Sequence, residues 1–302
     1  MYVRSLDPDG RESGPELRLT TTAAASYEAD IALLPDGFAI AWYEKEDDGR
    51  MRAQLGAWRH DGNPLWSMPV SVAAGSSRNA IVRRFRDELF CAWIEANESG
   101  AEFVWGGWWN LAGHSLGAPV RLGAAGDTTW NLNAAIAPTG EAWVVFDARA
   151  DTRVDELFAA RLADGIVTLA RLTADDGIRS KYPDIALAGG RAAITWYDER
   201  DGNREVYLAA VPAAELALPI EERARRITTT PGWSIGAYLA WNGDRIGLAW
   251  SDNSSGNYEV FFQSLDAAGS PLAPPHRMSD TPMNSLIPAI EPWHDGFALA
   301  WD

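Results

Sequence analysis

Short apolar runs separated by turns of glycine, proline, asparagine and aspartate fill the chain, and no stretch holds the 3.6-residue period of a long amphipathic helix. Asp30-Ile31-Ala32-Leu33-Leu34 reads as a strand, Pro35-Asp36-Gly37 as a tight turn and Phe38 to Trp42 as a second strand, which together predict an antiparallel hairpin. The pattern returns around Pro138-Thr139-Gly140, Gly189-Gly190, Asn242-Gly243-Asp244 and His294-Asp295-Gly296. Each hairpin is followed by a glycine-containing loop and a third strand, such as Glu205-Val206-Tyr207-Leu208-Ala209 or Glu259-Val260-Phe261-Phe262-Gln263. A fourth strand is marked by Arg18-Leu19-Thr20, Arg121-Leu122-Gly123, Arg171-Leu172-Thr173, Arg226-Ile227-Thr228 and Arg277-Met278-Ser279, arginines expected to protect an edge strand. The best helical candidate is the acidic segment from Ala213 to Ala224.

The second strands end alike: Trp42-Tyr43-Glu44, Trp93-Ile94-Glu95, Val145-Phe146-Asp147, Trp196-Tyr197-Asp198, Trp250-Ser251-Asp252 and Trp301-Asp302. With Val145 standing in for tryptophan, the spacings are 51, 52, 51, 54 and 51 residues, the signature of a repeat architecture. Six four-stranded antiparallel units predict an all-β, six-bladed β-propeller forming a single domain over residues 1–302. The blades fall at about 27–76, 77–128, 129–177, 178–232, 233–282 and 283–302, the last completed by residues 1–26. The final unit stops after its second strand, whereas Tyr2 to Leu6 and Glu16 to Thr20 read as an orphan third and fourth strand. Pairing of the N-terminal strands with the C-terminal ones is therefore expected to close the ring. The recurring tryptophans, on a fixed register, are expected to be core between blades.

The formal charge of −16 sets an acidic surface against nucleic-acid phosphate and anionic membranes, and no apolar run reaches the length of a membrane helix. One cysteine, Cys91, excludes an intrachain disulfide and reads as a small buried hydrophobe. No signal peptide opens the chain, so the compartment stays open; an extracytoplasmic location would require that a leader has been removed. The histidines His60, His114, His276 and His294 are not paired with a candidate nucleophile, and neither zinc spacing nor a phosphate loop occurs.

Candidate chemistry gathers on the face that carries the loops after the second strands. The recurring acids admit two readings: a cation or polar-ligand site whose oxygen-only donors, notably Glu44, Glu95 and Asp252, would suit calcium, or carboxylates that each accept hydrogen bonds in their own turn. Repetition in five units favours the second, and no cofactor is required. Residues that differ between units are more informative, because a ligand site breaks the symmetry a scaffold obeys. They are Tyr27, Arg78, Trp130, Lys181, Tyr182 and Trp233 before or within first strands, with Arg149 and Arg200 in the following loops. Aromatics mixed with arginine and acids can stack flat or ring-shaped ligands.

The run Tyr182-Pro183-Asp184-Ile185-Ala186, with Trp196-Tyr197-Asp198 and Asp201-Gly202-Asn203, resembles the repeat units of sialidase-like and WD40-like bacterial propellers. The turns Ser5-Leu6-Asp7-Pro8-Asp9-Gly10 and Ser264-Leu265-Asp266-Ala267-Ala268-Gly269 resemble worn Asp-box turns. Neither ends in the Thr-Trp of a complete Asp-box and no Arg-Ile-Pro signature is present, so the resemblance implies architecture and not sialidase activity.

The expectation is thus a binding propeller for a small polar ligand, foremost a carbohydrate. The alternatives are a glycoside hydrolase or lyase using carboxylates such as Asp147 and Asp198, and a scaffold that engages a protein partner.

Overall fold

Period-2 apolar runs fold as antiparallel hairpins because alternate side chains leave a pleated strand on opposite faces and only one hairpin register puts the apolar set inside. A computed structural model describes all residues except Ala23, Ala73, Ala74, Asp127, Thr128 and Trp130. It is an all-β propeller fold made of five four-stranded antiparallel sheets and two two-stranded ones. The first sheet comprises Ser26–Leu34, Gly37–Lys45, Met51–Arg59 and Pro64–Pro69; the second, Ser77–Phe85, Glu88–Ala96, Glu102–Asn110 and Val120–Ala124. The third comprises Leu132–Ile136, Ala142–Ala148, Glu156–Ala163 and Ile166–Arg171; the fourth, Ser180–Ala188, Arg191–Asp198, Glu205–Pro212 and Arg225–Arg226. The fifth comprises Ser234–Asn242, Arg245–Asp252, Glu259–Asp266 and His276–Arg277. Tyr2–Val3 pairs with Leu17–Arg18 and Ala289–Trp293 with Gly296–Ala300, each pair a two-stranded sheet of its own.

The chain divides into two compact units, Met1–Gly123 and Ala124–Asp302. In the first, Leu55, Val82, Leu89, Cys91 and Trp93 form the core between neighbouring sheets, and burial pushes the Cys91 thiol up. In the second, Val145, Leu157, Ile194 and Trp196 join the third sheet to the fourth, and Val206, Leu248 and Trp250 the fourth to the fifth. Trp42, Trp93, Trp196 and Trp250 are buried as expected, whereas Trp301 is 38% exposed. Trp301 follows the last strand of a two-stranded sheet and so has no third strand of that sheet beside it. Among the described residues no helix is long and apolar enough to cross a membrane.

Four of the tryptophans share a device the sequence did not reveal. Opposite each, the first strand slips register, between Tyr27 and Asp30, Arg78 and Ile81, Lys181 and Asp184, and Ile235 and Tyr238. Two residues there oppose one indole, and the bulge is turned by left-handed residues: Glu28 (φ 42°), Asn79 (φ 50°), Tyr182 (φ 57°) and Gly236 (φ 56°). In the third sheet Leu132–Ile136 pairs without a slip, and there Val145 replaces tryptophan.

Sheets within a unit are also joined by carboxylates. Asp30 Oδ2 accepts the Val82 amide at 2.7 Å, and Asp184 Oδ2 accepts the Leu239 amide at 2.8 Å.

The segment expected to be helical forms two short 3-10 turns, Ala213–Glu215 and Glu221–Arg223. Leu216 and Ile220 are fully buried in the core of the third and fourth sheets, so two short turns already anchor the insert. The fourth-strand arginines do more than guard an edge. Arg18, Arg226 and Arg277 each donate from Nε to the carbonyl two residues on, at 2.8, 2.7 and 2.8 Å.

Leu19, between two of those residues, packs with Phe38, Ile40, Trp42 and Trp58, with Met1 and Val3 against the same cluster. Leu19→Ala is therefore expected to destabilise the protein by about 2–3 kcal/mol, a buried leucine truncation. Urea unfolding followed by tryptophan fluorescence checks this; an unchanged midpoint would show that the N-terminal segment contributes nothing to this core.

Candidate functional site

The recurring carboxylates are mostly consumed within their own sheets. Asp198 accepts from the Trp196 indole (3.1 Å), the Ser180 hydroxyl (2.8 Å) and the Arg200 amide and guanidinium (2.6–2.9 Å). Burial alone would raise its pKa, yet those donors hold it below the usual carboxylate range. Asp252 accepts from Thr230, Ser234 and the Ser254 amide at 2.6, 2.6 and 2.8 Å. Glu95 accepts from the Trp93 indole at 2.7 Å and the Val72 amide at 3.0 Å. Glu44 accepts from Thr22 and Ser26 at 3.1 and 3.3 Å. Serine and threonine hydroxyls and indoles thus outnumber the turn amides foreseen from sequence. Among the described residues no three His, Cys, Asp or Glu side chains are placed to share a metal ion. Glu44, Glu95 and Asp252 are separate acids, each with its own donors.

Asp147 breaks the pattern. Val145 supplies no indole, and by register Asn131 stands where the other sheets place serine. The carboxylate is fully buried, and its charge is met instead by the neighbouring sheet: Lys181 Nζ lies 3.3 Å from Asp147 Oδ2 and 3.9 Å from Asp155 Oδ2. Burial pushes Asp147 up to about 6, Lys181 opposing the rise and Asp155 adding to it. The chain of charges continues outward: Arg179 Nε lies 3.3 Å from Asp155, its terminal nitrogen 3.4 Å from Glu199, and Glu199 pairs with Arg204 at 3.0 Å.

One repeated backbone contact builds this arrangement. The amide of the serine that begins a first strand donates to the carbonyl of the residue preceding the previous sheet's third strand: Ser180 to Asp155 at 3.0 Å, Ser234 to Arg204 at 2.9 Å. The residue just before each serine is thereby set beside the residue just before that third strand. In one case this puts Arg179 next to Asp155; in the other it puts Trp233 next to Arg204.

The Arg204 guanidinium carbon lies 4.2 Å from the Trp233 ring centroid and 5.3 Å from that of Tyr197, contacts of the cation–π type. Tyr197 faces Lys181 in the strand register and stacks on Tyr182 at 5.8 Å. Burial drives the Tyr197 hydroxyl pKa up, so it remains a neutral donor. Trp233 keeps 47% of its surface exposed. Its loop is pinned by the Asn253 side chain, which accepts the Trp233 amide at 2.6 Å, and a Cβ at Gly232 would lie 2.5 Å from that same oxygen. Asn131 and Asn133 donate to the Pro183 carbonyl at 3.2 and 3.4 Å, fixing the bulge that carries Tyr182.

Of the residues singled out by asymmetry, Lys181, Tyr182 and Trp233 meet in this cluster. Arg200 turns away, held by Asp198 at 2.6 Å and Glu221 at 3.1 Å with its guanidinium over Tyr207, because the carboxylates satisfy it internally. Arg149 is exposed after its strand, and Trp130 lies outside the described residues. Tyr27 and Arg78 belong to the first unit, where Tyr27 stacks on Tyr43 at 5.4 Å and Arg78 pairs with Glu102 at 2.6 Å. Asp155, Arg179, Tyr197, Glu199 and Arg204 were not picked out from sequence. Arg179 had a signal: it precedes Ser180 as Trp233 precedes Ser234 and as Trp130 precedes Asn131, the serine's counterpart. An open depression of about 620 Å³ in the first unit, lined by Thr22, Ala24, Lys45, Glu46, Asp47 and Asp48, contains no aromatic residue.

No protein-family model and no curated protein matches the chain. Solved structures do match in fold. The GH93 α-L-arabinofuranosidase of Fusarium graminearum, in complex with arabinobiose, aligns at a TM-score of 0.60 with 11% identity over 88% of this chain and 84% of that one. A puromycin-hydrolyzing peptidase of Mycobacterium tuberculosis aligns at 0.56 with 13% identity over 86% of this chain, which spans 42% of the peptidase. The GH43_1 enzyme of Xanthomonas citri with xylose aligns at 0.48 with 11% identity, over 84% of this chain and 91% of that one. At such identities the likeness to the arabinofuranosidase and the peptidase shows the fold alone.

Proposed function

We propose that this propeller binds a neutral saccharide on its second unit, against Trp233, Arg204 and Tyr182, with the buried Tyr197 beneath them. The observation that carries the reading is the half-exposed Trp233 ring backed by the Arg204 guanidinium, an apolar face held rigid over a polar floor. Sugar rings present C–H faces that stack on such indoles and hydroxyls that hydrogen-bond to the charged rim. The exposed charges are balanced, with Glu199 paired to both Arg179 and Arg204 above the buried Lys181, Asp147 and Asp155, so an uncharged ligand leaves the ion pairs intact.

Calorimetric titration with a panel of neutral oligosaccharides tests the reading, arabinobiose first among them. Trp233→Ala is expected to weaken the binding about tenfold, the effect of losing one stacking contact worth roughly 1.4 kcal/mol. Absence of binding across the panel, or equal affinity in the variant, would rule the reading out.

A second reading, glycoside hydrolysis or a lyase reaction, draws on the Asp147 pKa of about 6, a value suited to a general acid. The full burial of Asp147 favours a structural charge over one that reaches a bound sugar. Turnover of aryl glycosides that is lost in Asp147→Asn would reverse that preference.

A further inference from the structure

The glutamate that opens the third strand is built alike in the fourth and fifth sheets. One carboxylate oxygen accepts a fourth-strand hydroxyl, Thr228 to Glu205 at 2.5 Å and Ser279 to Glu259. The other oxygen receives an arginine two residues before that hydroxyl, Arg226 at 2.8 Å and Arg277 at 2.9 Å. An asparagine two residues before the glutamate adds a longer contact, Asn203 at 3.4 Å and Asn257 at 3.1 Å.

The third sheet keeps half of this. Thr173 donates to Glu156 Oε2 at 2.6 Å, but Oε1 is buried with no hydrogen-bond partner. Val154 stands in the asparagine's place. Arg171 is in register with the two sister arginines, opposite Phe158 as Arg226 is opposite Tyr207 and Arg277 opposite Phe261, yet it is exposed. The insert holds the backbone just beyond it, with the Ile220 amide on the Leu172 carbonyl at 3.0 Å and the Ala174 amide on Glu221 at 2.7 Å.

Burial, then the charges of Asp176, Glu221 and Asp175, push Glu156 up to about 8. The nearby cations pair with the flanking acids and not with Glu156: Arg153 with Asp175 at 3.5 Å and Arg200 with Asp198 and Glu221, while the charge of Arg171 also bears on Asp175. The sister arginine side chains are 33% and 37% exposed, so the path they take to the glutamate begins at the surface.

We infer that the third sheet carries a vacant guanidinium slot, in which Glu156 Oε1, flanked by Asp175, Asp176 and Glu221, binds a guanidinium group supplied from outside the chain. A planar fork matches the site better than a metal ion, since among the described residues no three acids converge as metal ligands do.

The probe is methylguanidinium chloride at millimolar concentration, added to the whole protein at constant ionic strength with tetramethylammonium as control. Carbon-detected NMR follows the Glu156 carboxyl. The expected result is saturable binding that lowers the Glu156 pKa by about one unit or more, retained in Arg171→Ala and absent in Glu156→Gln. Arg277→Ala should open the same slot at Glu259, and methylguanidinium should then recover the lost thermal midpoint. No saturable effect on wild type would overturn the inference. So would a Glu156 pKa that rises in Arg171→Ala, because Arg171 would then be the occupant.

Discussion

Lys181→Met is expected to lower stability by about 3–5 kcal/mol at neutral pH, the cost of leaving a buried charge without its partner. The ammonium is within 3.3 Å of Asp147 and 3.9 Å of Asp155, and both acids are buried. Asp155 retains Arg179, so the loss falls mainly on Asp147. Burial has already pushed Asp147 up to about 6; without Lys181 its pKa climbs further, and the native state takes up a proton to neutralise it. The destabilisation should therefore shrink as the pH is lowered toward 5 and grow toward 8. Asp147→Asn combined with Lys181→Met should recover much of the loss, because a neutral amide needs no counter-charge. Urea titrations at several pH values measure all three; a loss that is small and independent of pH would show that the cluster contributes little net stability.

The second large effect is a pH dependence set by Glu156. Burial holds its folded pKa at about 8, above the 4.5 of a free glutamate. The stability of the protonated form is fully present below pH 4.5 and is lost as the pH rises through 8, since the unfolded chain ionises first. Over that window each pH unit costs at most about 1.4 kcal/mol. Glu156→Gln should flatten the slope and leave the variant more stable than wild type at pH 8, with little difference at pH 4. Thermal midpoints in buffers without guanidinium or other organic cations provide the test, and parallel curves for the two proteins would refute the assignment.

The fold was legible because its determinants are local and repeated. Hairpin turns, a fixed tryptophan register and a period near 51 residues suffice for a propeller of four-stranded sheets, since every unit repeats the same hydrophobic alternation. The site was legible only in part. Comparing units pointed to Lys181, Tyr182 and Trp233 because they differ in kind from their counterparts. Asp155 and Arg204 escaped notice because their importance lies in a backbone contact between sheets, Ser180 to Asp155 and Ser234 to Arg204, that no single strand displays. Arg200 lies apart from the cluster because an acid two residues away pairs with it, a contact that comparing units does not display. The bulges were also invisible: three of the four left-handed residues are Glu28, Asn79 and Tyr182, and only asparagine among them favours that conformation.

That last feature bears on how far the protein could be stabilised without cost. A tyrosine held at φ 57° stores backbone strain on the order of 1 kcal/mol or more, and Gly236 shows that the same bulge runs on glycine in the next sheet. Tyr182→Gly would relax that strain but would also remove the ring stacked on Tyr197 and add the unfolded-state entropy of glycine, so its effects on stability oppose one another. Under the proposed function that ring also lines the saccharide site, so a screen for heat resistance that traded it for glycine should deplete binding.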